Sequence, residues 1–81
     1  MKSDFPAAFY NRAVAYFYQH EYERALADLE VVLRFDKSNA LALYARGMTL
    51  LKKGDADAGE ADITAAKAIN PDIAEQFDTS Q

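Results

Sequence analysis

The chain holds few residues that could do covalent chemistry. It has one histidine, His20, flanked by Glu21 and Glu23, and no cysteine. A general base needs a nucleophile or an acidic proton within hydrogen-bond reach, and no Ser or Cys partner accompanies His20 to make a triad. Thiolate nucleophiles, disulfides and Cys-ligated zinc are excluded outright. Asp55, Asp57, Glu60 and Asp62 form an acidic cluster that raises the question of calcium. The EF-hand order D-x-[DN]-x-[DN]-G is absent, and Gly54 precedes the acids instead of lying among them. These carboxylates read as a solvated helix N-terminus, where the helix dipole favours negative charge. Arg12, Asp28, Arg46 and Asp62 read as ion-pair partners. With no Gly-rich phosphate loop, nucleophile–base pair or metal cluster, the expectation is a protein that is not an enzyme, with no catalytic residues, metal or cofactor.

Composition narrows the partners. The 81 residues are 51% hydrophobic and 27% charged, with 13 acidic against 9 basic side chains and a net charge of -4. That describes one small globular domain. A mildly acidic chain lacks the concentrated positive field that phosphate backbones or anionic membranes require, so no nucleic acid and no membrane are expected. The longest purely apolar run, Ala13 to Tyr18, is too short for a transmembrane helix or a secretory core. The absence of export signals points to the cytoplasm.

The elements that position these residues follow from a duplication. Shifting the sequence by 34 residues superposes Pro6–Asn39 on Ala40–Ile73. The pairs Ala8/Ala42, Tyr10/Tyr44, Arg12/Arg46, Ala27/Ala61 and Asp28/Asp62 are identical. Phe9/Leu43, Ala13/Gly47, Tyr16/Leu50, Leu29/Ile63 and Phe35/Ile69 keep size and polarity. Asp4, Ser38 and Asp72 share the same spacing, and each is of a type that caps a helix N-terminus. Asp72 with Glu75 has capping-box spacing.

Each unit reads as two helices. Phe9, Ala13 and Tyr16, like Leu43, Gly47 and Leu50, recur at i, i+4, i+7. Breaks follow at Gln19-His20-Glu21 and Lys53-Gly54-Asp55, and Asp36-Lys37-Ser38 and Asn70-Pro71-Asp72 end the units. Helices are predicted near 5–19, 22–35, 39–53 and 56–69, with a short fifth from about 73. His20 aligns with Gly54, a place where a helix exit adopts the left-handed conformation, so His20 reads as a turn residue. In an antiparallel hairpin, facing positions keep a nearly constant index sum. Phe9 with Val32, Ala13 with Leu29 and Tyr16 with Ala25 do so, and Leu43 with Ala66, Gly47 with Ile63 and Leu50 with Gly59 repeat the relation. Arg12 with Asp28 and Arg46 with Asp62 fall one residue off that register, as inter-helix ion pairs that fix each hairpin.

These residues resemble the tetratricopeptide repeat (TPR) family, whose signature is W-x2-L-G-x2-Y, then A-x3-F, then P. The first unit offers Phe9, Arg12, Ala13, Tyr16, Ala25, Leu29 and Lys37, and the second Leu43, Arg46, Gly47, Leu50, Gly59, Ile63 and Pro71. The resemblance covers about residues 4–77. It implies an all-α fold in which helix-turn-helix hairpins stack as a short right-handed superhelix. The domain is expected over 4–81, with one repeat at about 6–39, another at about 40–73, and a capping helix at about 72–78. About three repeats are needed for stability. The chain is therefore cut from a longer array, self-associating, or closed by its terminal helix, in which Phe77 repeats Leu43.

One further pattern bears on function. Besides the hairpin stripe, the first helix of each unit carries a second apolar stripe: Tyr10, Val14, Phe17 and Tyr44, Met48, Leu51, with Asn11 and Lys52 beside it. An amphipathic helix ordinarily has one stripe. The resemblance implies that first helices line a concave groove for peptide segments of partner proteins, and these eight residues would then line it. Ala45 stands where Asn11 would recur, which argues against a clamp for a C-terminal carboxylate. An apolar or aromatic-bearing segment is the expected ligand. The alternative keeps the stripe as core, covered by a neighbouring repeat, the terminal helix or a dimer mate, including a hairpin-swapped homodimer.

Overall fold

The computed structural model describes residues 5–79, and among these the chain is all-α. Helices run α1 Phe5–Tyr18, α2 Tyr22–Phe35, α3 Ala40–Lys53, α4 Ala56–Ile69 and α5 Ile73–Thr79. Helices α1 and α2 form one hairpin, α3 and α4 a second, and α2 lies against α3 to stack them. The short α5 rests mainly on α3. The result is a two-hairpin α-solenoid with a helix across one edge.

Local chemistry sets the helix ends. At both hairpin turns the chain exits through a left-handed residue, His20 at φ 64° and Gly54 at φ 101°. In each case the exit forms a pair of bonds that satisfies orphan carbonyls. Glu21 N–H donates to Tyr16 O (2.8 Å) and His20 N–H to Phe17 O (3.0 Å). Asp55 N–H donates to Leu50 O (2.8 Å) and Gly54 N–H to Leu51 O (3.1 Å). This is the Schellman arrangement, which glycine enters without strain and histidine at a small cost. Both units close with a side-chain turn that the sequence pattern did not reveal. Asp36 Oδ1 accepts from Ser38 N–H (3.1 Å), and Asn70 Oδ1 accepts from Asp72 N–H (3.0 Å).

The expected cap at Ser38 is displaced by one residue. Asn39 caps α3, its Oδ1 accepting from Ala42 N–H at 3.0 Å. The reason is the Asp36 turn, which uses the Ser38 N–H and leaves Asn39 as the last extended residue. Asp4 lies outside the described residues. Helix α5 carries Glu75 in its first turn.

The core is a thin layer of small and branched side chains: Ala13, Ala25, Leu29 and Val32 between α1 and α2, Ala42, Leu43, Ala45 and Ala66 further on, then Ile73 and Phe77 from α5. Thr49 is fully buried, its hydroxyl donating to Ala45 O at 2.7 Å. That back-bond satisfies the buried hydroxyl within its own helix. The α3–α4 contact is closer than side-chain packing alone allows. A Cβ added to Gly47 would lie 2.7 Å from Gly59 O, and one added to Gly59 would lie 2.8 Å from Gly47 O. The two backbones therefore touch, and only glycine fits at either place.

Candidate functional site

Arg12 and Asp28 meet across the first hairpin in a two-pronged bond, Nε to Oδ2 and Nη2 to Oδ1, both 2.8 Å. Arg46 and Asp62 repeat it in the second at 2.7 and 3.0 Å. The matching of a planar guanidinium to a carboxylate fixes the rotation of each helix against its mate. The hydrogen bonds it donates to Asp28, then the charge of that carboxylate, hold the Arg12 guanidinium well above its ordinary pKa. Arg46 is raised by its bonds to Asp62, against the opposing effect of burial, with Asp62 and Glu30 adding their charges. Neither arginine is a candidate acid or base.

Two further ion pairs link the hairpins to each other. Arg46 Nη1 lies 3.6 Å from Glu30 Oε2, and Lys53 Nζ lies 2.7 Å from Glu23 Oε2. Glu23 holds Lys53 above the ordinary lysine pKa, first by the hydrogen bond and then by charge. Glu23 and Glu30 are seven residues apart, so they stand on one face of α2, turned to α3. Sequence reasoning missed both, although the i, i+7 spacing of two acids was a usable signal.

His20 is exposed and stacks on Tyr22, with ring centroids 5.7 Å apart at 18°. Among the described residues no three His, Asp or Glu side chains converge to hold a metal ion. Of the acidic cluster, Asp62 is committed to Arg46, while Asp55, Asp57 and Glu60 are exposed.

The second apolar stripe is divided by the fold. Tyr10, Phe17, Tyr44 and Met48 are half-buried and keep part of their surface in solvent. Tyr10, Phe17 and Tyr44 rest on the core. Phe17 meets Tyr22 at 6.1 Å, and Tyr44 meets Phe77 of α5 at 5.2 Å with a 55° tilt. Two residues of the stripe, Val14 and Leu51, turn into the protein. Val14 is buried in the core, 8% exposed. Leu51 is drawn toward α4, its Cγ 3.0 Å from where a Gly59 Cβ would stand, because the missing side chain leaves room for it. Asn11 is exposed at a register where Ala45 is buried, so it belongs to the outward edge of α1. Lys52 is exposed at the last turn of α3, beyond the apolar part of the stripe.

Residues 6–39, the whole first hairpin with its closing turn, match the family model described as tetratricopeptide repeat. The second hairpin repeats that unit's ion pair, its left-handed exit and its terminal side-chain turn. The first hairpin is a tetratricopeptide repeat, and the stacked helical hairpins are consistent with that family. Tetratricopeptide repeats generally mediate protein–protein interaction and are typically not enzymes. No curated protein and no solved structure matches the chain. Among the described residues no helix is long and apolar enough to cross a membrane.

Proposed function

We propose that the chain is a non-enzymatic interaction module that holds a peptide segment of a partner protein along Tyr10, Phe17, Tyr44 and Met48. We take residues 4–81 as one domain, with units at about 6–39 and 40–73 and a closing helix at about 72–78. The observation that carries the reading is the recurrence of large, half-exposed apolar side chains at one register on both first helices, Tyr10 with Tyr44 above all. Aromatic rings and a flexible thioether offer broad contact area at low conformational cost. Asn11 and Lys52 sit outside the apolar strip, so the ligand is recognised by apolar side chains and not by a terminal carboxylate.

The test is selection of displayed peptides on the purified chain, followed by binding to Met48→Asp. Met48 is half-exposed, so the variant should keep its helicity by circular dichroism. The expected outcome is apolar or aromatic-bearing peptides whose affinity falls at least about tenfold, about 1.4 kcal/mol, in the variant. Peptides that bind Met48→Asp as well as the parent, or none selected at all, would refute the proposal.

A further inference from the structure

The second repeat displays what covers a first helix on its outward side. On α3, Ala42, Ala45 and Thr49 are buried in a helix that packs on α2 among others, and Arg46 reaches Glu30 of α2. The same register on α1 reads Ala8, Asn11, Ala15 and Arg12, and all four are exposed. Phe5, at the start of that strip, is 61% exposed. Phe5, Ala8, Phe9 and Arg12 wall an open depression of about 210 Å³.

We propose that this outward face of α1 docks an acidic amphipathic helix of a partner protein, one that presents a leucine ridge with a glutamate on its rim. α2 carries that chemistry: Leu26 and Leu33, seven residues apart, share a helix face with Glu23 and Glu30, whose carboxylates reach Lys53 and Arg46 of α3. Charge selects the same ligand. Arg12 gives Nε and Nη2 to Asp28, as Arg46 does to Asp62, and Arg46 turns Nη1 to the Glu30 carboxylate. Among the described residues no second carboxylate meets Arg12. Its side chain is 58% exposed where that of Arg46 is 27% exposed.

A second copy of the chain does not supply the helix. Its α2 is already seated on its own α3. Its α4 carries Glu60 and Lys67 where α2 has Leu26 and Leu33, and Thr64 where α2 has Glu30. The proposed surface is separate from the concave strip, so either reading can fail alone.

The probe is a hydrocarbon-stapled helix with the sequence of Tyr22–Phe35 carrying Ala25→Gln, Asp28→Gln and Val32→Gln, which stops it replacing α2. It is titrated into the isotope-labelled 81-residue chain and followed by amide shifts. The expected shifts fall on Phe5, Ala8, Arg12 and Ala15 and spare Tyr44 and Met48. Ala8→Glu in the chain, at an exposed position, removes them without loss of helicity. Glu30→Lys in the probe weakens binding about threefold or more, the scale of an exposed ion pair. Shifts centred on the concave strip, or none at saturating probe, overturn the proposal. So do α1 amides that move with protein concentration before any probe is added, since a second copy then holds the face.

Discussion

The two hairpins are cut to one pattern and buried to different degrees. Each has the arginine–aspartate clasp, the left-handed exit and the closing side-chain turn. Yet α3 is enclosed by α2 on one side, α4 on another and α5 across its end, whereas α1 has α2 as its main neighbour. The difference lies in a few side chains. Gly47 and Gly59 bring the backbones of α3 and α4 into contact, where the first hairpin has Ala13 and Ala25 and must leave room for two methyls. Leu26 and Leu33 on α2 invite a following helix, and Glu60 and Lys67 on α4 do not. One repeat is thus followed by a second hairpin, and the other carries α5 across it as a finish.

The largest effect should come from undoing the finish. Phe77 is 4% exposed and braces Tyr44. Phe77→Ala should cost about 3–5 kcal/mol, read by urea unfolding, which makes the second hairpin as open as the first. A loss below about 1 kcal/mol would show that α5 is ornamental.

Next comes the seam. Gly47→Ala places a methyl 2.7 Å from Gly59 O and from Ile63 Cγ1. Backbone atoms cannot step aside, so a loss of about 1–3 kcal/mol is expected despite the better helix propensity of alanine. The mirror change in the first hairpin, Ala13→Gly, should lose only about 1 kcal/mol, from propensity. Equal losses at the two sites would erase the distinction between the seams.

The smallest effect concerns the clasp between hairpins. Glu23 raises the Lys53 pKa in the folded chain, so the pair's contribution is present below about pH 10.4, the ordinary lysine value, and fades as pH rises through the higher folded value. Carbon-detected titration of the Lys53 side chain should show a midpoint above that value, which Glu23→Gln returns to normal. An unshifted midpoint in the parent would mean that the 2.7 Å contact does not persist in solution.

Much of this architecture was legible in the residues. The 34-residue offset located five helices, and the index relation placed Arg12 on Asp28 and Arg46 on Asp62. Those features repeat or obey a period. What escaped was set by neighbours in space. Asn39 caps α3 while the Asp36 carboxylate accepts from the Ser38 backbone N–H, a local arrangement that no propensity encodes. Leu51 turns toward α4 because Gly59 has no side chain to exclude it. Val14 and Met48 occupy one register, yet Val14 is buried and Met48 is half-exposed, a difference that the shared period does not carry. Periodicity reports the repeat, and only the stack reports its position in the row.

The arginine–aspartate clasps each join residues 16 apart. Every substantial helix contact is likewise between helices adjacent or one removed along the chain. Collapse therefore closes only short loops, and the chain should refold between microseconds and milliseconds, as low contact order dictates. A temperature-jump relaxation slower than seconds would contradict that wiring. It also means that Asp62→Ala should weaken the second hairpin while leaving the first free to nucleate by itself, so the two halves can gain or lose order on separate clocks.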